Sequence, residues 1–127
     1  MIQILVVDDE PDVRPLFEQR FRREIRGGTI HLTFASSGEE ALTIFTERPQ
    51  EAVLILSDIN MPGMSGLELL RHIRRVTPAR PPVVMMITAY GDEDSHKQAM
   101  DLGADDFLTK PLDFTDLKVK LANLPVY

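Results

Sequence analysis

The chain has 127 residues, of which 43% are hydrophobic and 27% charged, a composition typical of one globular domain. Its net charge of −6 argues against nucleic-acid binding, because phosphate contacts need a basic face. It has no cysteine, which excludes disulfides and thiolate metal sites. With no apolar run as long as the roughly 18 residues of a membrane helix and no cleavable leader, we expect a cytoplasmic protein without membrane contact.

Five apolar runs along the chain predict five β-strands. The predicted strands cover residues 2–7, 30–34, 53–56, 83–87 and 107–108. Most of these runs are continuous rather than alternating, which is typical of strands that are buried on both faces.

The segments between the runs predict five helices. In the first, Asp12 is the expected N-cap, which places Pro15 at the third helical position, where no intrahelical N–H is required. The second begins with a capping box of Ser37 and Glu40.

Periodic apolar residues and helix-ending residues indicate the other three helices. The third runs towards Pro78, the fourth covers residues 92–102 before Gly103, and the fifth ends at Pro125. The apolar positions of the third are Leu67, Leu70 and Ile73, and those of the fifth are Phe114, Leu117, Leu121 and Leu124.

Strands that alternate with helices in this way predict an α/β fold with a doubly wound parallel sheet. Ligands bind such sheets at the carboxyl ends of the strands. The polar residues expected at that edge are Asp8, Asp9, Asp58, Thr88 and Lys110. Each alone is a weak signal, since such residues often cap helices or form turns, but complementary groups at four strand ends are a much stronger one.

The predicted cluster of carboxylates is better explained by function than by stability. Two carboxylates ~4 Å apart repel each other by roughly 4 kcal/mol at an effective dielectric constant near 20. The single ammonium of Lys110 cannot neutralise three of them, whereas a divalent cation and Lys110 together would. Carboxylates without nearby Cys or His are hard oxygen ligands, which suit Mg²⁺ or Mn²⁺.

This set of groups is suited to phosphoryl transfer. A carboxylate such as Asp58 can act as a nucleophile and form an acyl phosphate. The transfer mainly requires positioning and positive charge around the phosphoryl oxygens, which the metal ion and Lys110 would supply, while the Thr88 hydroxyl would donate one hydrogen bond. The apolar run before Asp58 would fix this residue in the sheet, and the turn at residues 61–63 would open the backbone beside it.

Over nearly its whole length the chain resembles the receiver domain of response regulators, of the chemotaxis-regulator type. The segments that carry the resemblance are VDDE at 7–10, DINMPGMSG at 58–66, ITA at 87–89, GADDF at 103–107 and KP at 110–111. The resemblance implies a flavodoxin-like (βα)5 fold with strand order 2-1-3-4-5, in a single domain over residues 1–127. The short final helix leads us to expect a receiver that forms the N-terminal part of a longer protein.

The resemblance also implies how a metal ion and a phosphoryl group would be bound. Asp58 is the expected phospho-acceptor. Asp9, Asp58 and the backbone carbonyl of Asn60 are the expected direct ligands of Mg²⁺, and Asp8 is expected to act through water.

Four further expectations concern the phosphoryl contacts and the switch. Lys110 and Thr88 are expected to contact the phosphoryl group, and the Lys110-Pro111 bond is expected to be cis. Thr88 and Phe107 form the expected switch. Many family members have Tyr at the position of Phe107, so any role of a Tyr hydroxyl is lost in this chain. We expect Phe107 to lie partly inward even before phosphorylation.

The implied function is that of a phosphorylation-dependent switch in a two-component phosphorelay. The chain would accept a phosphoryl group from a sensor histidine kinase or a histidine phosphotransfer protein, and would catalyse only its own phosphorylation and dephosphorylation. The conformational change is expected on the face made by the fourth helix, the fifth strand and the fifth helix, where an effector domain or a second copy would bind.

The phosphodonor is expected to dock over the first helix and the loop after the fifth strand, because its histidine must enter the crevice there. The residues expected to flank this entrance are Val13, Arg14, Leu16 and Pro111. Leu16 should then be partly exposed, whereas Phe17 and Phe21 should face the core.

Two other functions compete with the signalling switch. Phosphatases of the haloacid-dehalogenase type also use Asp, Thr, Lys and an acidic pair. However, Asp58-Ile59-Asn60 lacks their second carboxylate, the acidic pair comes first in the chain, and no cap domain fits. The other alternative, an interaction module that has lost phosphorylation, is disfavoured because every required group is present.

The arginine cluster and the histidines have simpler explanations than function. The five arginines within residues 14–26 indicate a solvated helix face more readily than a docking patch for an acidic partner. His31, His72 and His96 fall on different elements without ligand spacing, which favours surface or otherwise satisfied histidines over a metal site.

Overall fold

The computed structural model describes residues 1–76, 81–89 and 93–124. Within these residues the strands are β1 Ile2–Val7, β2 Ile30–Ala35, β3 Leu54–Asp58, β4 Val83–Ala89 and β5 Asp106–Lys110. They form one parallel sheet in the order β2-β1-β3-β4-β5. The predicted fold class and strand order are confirmed.

The described part of the chain also contains six α-helices. They are α1 Val13–Arg20, α2 Arg22–Arg26, α3 Gly38–Glu47, α4 Gly66–Arg75, α5 Glu93–Asp101 and α6 Phe114–Ala122, with a 3₁₀ turn at Pro49–Glu51. None of these described helices is long and apolar enough to cross a membrane.

The first predicted helix is two helices, because the chain leaves helical geometry at Phe21 (φ −105°, ψ 18°). The Phe21 ring is fully buried and packs 5.9 Å, centroid to centroid, from both Phe17 and Phe114. This tertiary packing outweighs the continuous helical pattern of the sequence. The start agrees with the prediction, since Asp12 is the N-cap and Pro15 the third helical residue, although the Asp12 side chain makes no capping bond. The fourth and fifth predicted helices are therefore α5 and α6.

Four strands extend past the apolar runs that predicted them, β2 by the single residue Ala35. β3 includes Asp58, β4 continues to Ala89 and β5 to Lys110, because the backbone ladder continues through these residues. The register pairs Asp58 with Ile87 and Ala89 with Lys110. The carboxyl ends of three neighbouring strands thus lie at one edge of the sheet.

The two faces of the sheet bury separate hydrophobic clusters. Ile55 and Met86 lie in the cluster under α3, α4 and α5, together with Leu70 of α4. On the opposite face, Leu56 lies in the cluster with Leu117 of α6. Because successive side chains of a strand point to opposite faces, both faces of β3 are buried, as its continuous apolar run predicted.

Helix ends agree in part with their sequence signals. The Ser37 hydroxyl oxygen accepts a hydrogen bond from the Glu40 N–H at 3.0 Å, but the Glu40 carboxylate accepts one from the Ser36 hydroxyl instead of completing the capping box. Gly103 follows α5 with φ of 96°, a conformation that favours glycine. The predicted signals at Pro78, Asp92 and Pro125 lie outside the described residues.

Candidate functional site

Asp58 lies at the carboxyl end of β3, the central strand of the sheet. β3 lies between β1 and β4, and every residue of this strand is buried. Asp58 itself is only 4% exposed. A carboxylate with this little solvent contact needs polar partners. They are the Asn60 N–H, from the loop after β3, and the Lys110 ammonium, at the end of β5.

Asp8 and Asp9 follow β1 and bring two further carboxylates to Asp58. One oxygen of each of the three residues lies within 4.8 Å of the others. The Glu10 N–H donates to Asp8 Oδ1 at 2.9 Å, which orients Asp8. Three carboxylate oxygens at this spacing match the hard ligands that Mg²⁺ and Mn²⁺ prefer, so the residues present fit the cation expected from the sequence.

Lys110 supplies the positive charge of this cluster. Its Nζ donates to Asp58 Oδ2 at 2.8 Å and lies 4.0 Å from both Asp8 Oδ2 and Glu10 Oε1. Burial alone would lower the pKa of this ammonium, but the hydrogen bond to Asp58 and the surrounding negative charges outweigh burial and raise the pKa of Lys110. Lys110 is therefore held as a cation against Asp58.

The pKa of Asp8 is raised as well. Burial is the main cause because it disfavours the ionised carboxylate, and the charge of Asp58 adds to it, while the Glu10 N–H and Lys110 oppose it. With three carboxylates, those of Asp8, Asp9 and Asp58, around the single ammonium of Lys110, the cluster carries an excess of negative charge when these groups are ionised. A divalent cation would remove that excess.

The loop from β3 to α4 turns immediately beside Asp58. The Asn60 N–H donates to Asp58 Oδ1 at 3.3 Å, and the Met61 side chain is buried in the core below α4. A Cβ at Gly66 would collide with the Asp58 carbonyl oxygen, so glycine permits the start of α4 to approach the strand. The backbone of Asn60 is thus placed beside the carboxylates, while its carbonyl as a metal ligand stays a prediction.

The predicted switch residues lie on neighbouring strands. Thr88 is 2% exposed at the end of β4, and its hydroxyl donates to the Ala89 carbonyl at 2.9 Å rather than to Asp58. Phe107 pairs with Met86 in the ladder, is half-buried and packs against the core under α5. Its ring lies against the His96 ring, with centroids 3.4 Å apart.

The predicted docking residues border the cluster on the side of α1. Val13 and Arg14 line a hollow of about 400 Å³ together with Asp8 and Asp9. Leu16 is 40% exposed, whereas Phe17 and Phe21 are buried, as predicted. Pro111 is exposed and follows Lys110 through a cis peptide bond, as the family resemblance implied. Docking itself stays a prediction.

Three side chains near these residues were not singled out for a role from the sequence. Glu10 lies 4.0 Å from Lys110, and its place directly after Asp8 and Asp9 was the available signal. Glu39 contacts the loop after β3 from 25 residues away, and His96 contacts Phe107. No local pattern indicates either contact, since both depend on how α3 and α5 pack on the sheet.

The family follows from comparison with known proteins. A family model for the response regulator receiver domain matches residues 4–122. The chain belongs to the receiver family. Response regulator protein PilR of Pseudomonas aeruginosa is 40% identical to this receiver over 118 residues, which are 93% of the chain but 25% of PilR, so the chain spans a minor part of that relative. A protein named "Probable chemotaxis protein CheY" of Rhizobium etli is 35% identical over 95% of this chain and 88% of its own length.

Solved receiver structures share the fold of this chain. A receiver domain protein of Clostridium thermocellum has a TM-score of 0.83 and 32% identity, with 97% of this chain and 93% of that chain covered. The receiver domain of Ssk1 from Saccharomyces cerevisiae, solved together with the histidine phosphotransfer protein Ypd1, has a TM-score of 0.81 and 25% identity over 95% of this chain and 86% of that one. The chain is therefore a receiver domain of two-component signalling, and the phosphatase alternative finds no support.

Proposed function

We propose that this receiver is a Mg²⁺-dependent phosphorylation switch with Asp58 as its acceptor. The observation that carries the proposal is that three side chains converge on the buried Asp58 carboxylate. The Lys110 Nζ lies 2.8 Å from Asp58 Oδ2, and Asp8 and Asp9 each have an oxygen within 4.8 Å of an Asp58 oxygen. A nucleophile, a fixed cation and a set of hard ligands are the parts that phosphoryl transfer to a carboxylate requires.

Each residue has a distinct part in the proposed transfer. An Asp58 carboxylate oxygen attacks the phosphorus of a phosphohistidine, so that a P–O bond forms while the P–N bond to the imidazole breaks. Asp9, Asp58 and the Asn60 carbonyl hold Mg²⁺ and Asp8 assists through water; when bound, the ion supplies positive charge to the phosphoryl oxygens. Lys110 neutralises the charge that remains.

The proposed phosphodonor is a sensor histidine kinase or a histidine phosphotransfer protein. The solved complex of a similar receiver with the phosphotransfer protein Ypd1 supports a donor of this class. In this chain the entrance is the hollow beside Asp8 and Asp9 that Val13 and Arg14 line. Exposed Leu16 and Pro111 extend this surface along α1 and the end of β5.

The proposed output is a change on the face formed by α5, β5 and α6. Thr88 would turn from the Ala89 carbonyl towards the phosphoryl group, and Phe107 would fill the space that this movement opens. An effector domain or a second copy of the chain would bind the changed face. Relatives of greater length, such as PilR, of which this chain covers 25%, support an effector domain as the recipient.

Phosphorylation with acetyl phosphate and Mg²⁺, followed by intact-mass measurement, tests the acceptor. We expect the wild-type protein to gain one phosphoryl group, and Asp58→Ala to gain none because the nucleophile is absent. Asp101→Asn, which removes an exposed carboxylate at the end of α5, is the matched control and should be labelled at the wild-type rate. Labelling of Asp58→Ala at that same rate would rule Asp58 out as the acceptor.

A further inference from the structure

The loop that follows Asp58 is held from a distant helix by Glu39, which has no part in the proposed transfer. Glu39 is the second residue of α3, and its Oε1 accepts a hydrogen bond from the Met64 N–H at 3.2 Å across 25 residues of sequence. A hydrogen bond between an ionised carboxylate and a backbone N–H is stronger than one between neutral groups. The contact therefore ties the apex of the loop to α3.

Two glycines allow α3 and the loop to approach this closely. A Cβ at Gly38 would lie 2.9 Å from the Met64 carbonyl oxygen and 3.0 Å from the Met64 Cβ, so the start of α3 touches Met64 directly. Gly63 has φ of 73°, and a Cβ there would lie 2.8 Å from Glu39 Oε2. The Glu39 carboxylate is thus seated against backbone that carries no side chain.

The segment held in this way contains the expected backbone ligand of the cation. Its first fixed point is the Asn60 N–H, bound to Asp58 Oδ1 at 3.3 Å. Its second is the Met64 N–H, bound to Glu39. Between these two points the Met61 side chain is buried in the core, whereas Pro62 and Gly63 are exposed. Without the bond to Glu39, nothing polar in the described residues outside the loop would hold its apex in place.

We propose that Glu39 is a positioning residue of the cation site. By holding the loop at Met64, it keeps the Asn60 carbonyl where it can bind Mg²⁺, and so raises the affinity of the site without touching the ion. This inference rests on the proposed Mg²⁺ site and adds to it a residue that lies on α3, outside the segments that carry the chemistry.

The test compares Mg²⁺ affinities of variants by isothermal titration at about 0.15 M salt, where exposed charges separated by more than about 8 Å are largely screened. Glu39→Ala removes the acceptor and should weaken Mg²⁺ binding about two- to tenfold, the equivalent of one net hydrogen bond. Glu39→Gln removes the charge but keeps an oxygen that can accept a weaker, neutral hydrogen bond from the Met64 N–H, so its affinity should lie between those of Glu39→Ala and wild type. Glu47→Ala, at the exposed far end of the same helix, is the control and should bind as wild type does.

A second measurement, made without metal, reports on the loop itself. The Met64 amide should exchange with solvent faster in Glu39→Ala than in wild type and Glu39→Gln, while the amides of β3 stay equally protected. Equal Mg²⁺ affinity of Glu39→Ala and wild type would overturn the inference. Equal weakening in Glu39→Gln and Glu39→Ala would do so too, because charge rather than the hydrogen bond would then be the cause. A wild-type protein that does not bind Mg²⁺ would overturn the proposed metal site first, and this inference with it.

Discussion

The ionised Asp8 carboxylate is expected to destabilise the metal-free fold. Its pKa is raised by burial and by the charge of Asp58, so the ionised form is less stable in the folded protein than in the unfolded chain. The sign of the pH dependence follows from linkage. The folded state binds the Asp8 proton more tightly, so stability declines as the pH rises from the usual aspartate value of about 3.9 through the raised one.

Replacement of Asp8 by Asn should therefore stabilise the metal-free protein at neutral pH. Asn retains an oxygen that can accept from the Glu10 N–H and removes the buried charge. We expect an increase in the free energy of unfolding on the order of 1 kcal/mol, or about 4 °C in Tm for a domain of this size. Urea or thermal unfolding in EDTA at pH 7 measures the change, and the difference from wild type should vanish as the pH falls below about 4.

The control for this charge removal is Asp12→Asn. Asp12 is exposed and its side chain makes no capping bond, and Asp and Asn are similar as N-caps, so its stability should change little. Saturating Mg²⁺ should make wild type more stable than Asp8→Asn. The cation stabilises wild type by binding the folded state and binds the Asp8→Asn variant less tightly. An Asp8→Asn protein that is less stable than wild type in EDTA at pH 7 would contradict the expectation.

The first helical segment, α1, combines the proposed docking surface with a core contact. One side of α1 buries Phe17, which packs on Phe34 and Phe114. The adjacent side exposes Leu16 and presents Arg14 to the hollow beside the carboxylates. This division lets the two functions of the helix be tested separately.

Leu16→Arg should impair transfer from a protein donor while leaving the chemistry of the site intact. The side chain is 40% exposed, so the substitution removes apolar contact area with little disturbance of the core. We expect a loss of about three- to eightfold in the rate of transfer from the cognate phosphohistidine protein, since burial of a whole Leu side chain is worth about 1.5–3 kcal/mol and only the exposed 40% of Leu16 is left to bury. Labelling by acetyl phosphate should be unchanged. Normal transfer from the protein donor, with normal acetyl phosphate labelling, would show that the docking surface lies elsewhere.

Local patterns predicted the elements but not where tertiary contacts alter them. The continuous apolar runs identified all five strands of the described chain because strands buried on both faces need apolar residues throughout. The runs ended at residues 56 and 108, before the strands end at Asp58 and Lys110, since a change from apolar to polar residues does not show where a backbone ladder stops. The break at Phe21 was missed because it accompanies the packing of its ring between Phe17 and Phe114, a contact that joins distant segments.

The candidate site could be predicted for a related reason. In a parallel sheet the strand ends share one edge, so Asp8, Asp9, Asp58 and Lys110 converge once the strands are known. The contacts of Glu39 with Met64 and of His96 with Phe107 could not be predicted, because they depend on how a helix rotates and slides on the sheet. Side chains that adjust such a site are for this reason harder to find in a sequence than those that form it.

In the proposed switch, Phe107 couples the site to the face formed by α5, β5 and α6. Its ring is half-buried, and its centroid lies 3.4 Å from that of the His96 ring. When a phosphoryl group on Asp58 attracts the Thr88 hydroxyl, space opens near the end of β4, and the ring can move further inward. Full burial of a Phe side chain is worth about 1.5–3 kcal/mol, which would shift a two-state equilibrium by roughly 10- to 100-fold. Because the Phe107 ring is already half-buried, the shift in this equilibrium should lie towards the lower end of that range. Movement of Phe107 must also break or reshape its contact with the His96 ring, whose plane is tilted by 35° from that of Phe107.

Beryllofluoride, which mimics a phosphoryl group, should therefore change the NMR signals of the Phe107 and His96 rings together. Thr88→Ala should bind the mimic but show a much smaller change, since the hydroxyl that moves is absent. Asp58→Asn with beryllofluoride is the control for non-specific effects and should show no change at either ring. Unchanged signals of Phe107 in wild-type protein that demonstrably binds the mimic would remove this residue from the switch. A change at Phe107 without one at His96 would keep the switch but show that the two contacting rings do not move as a unit.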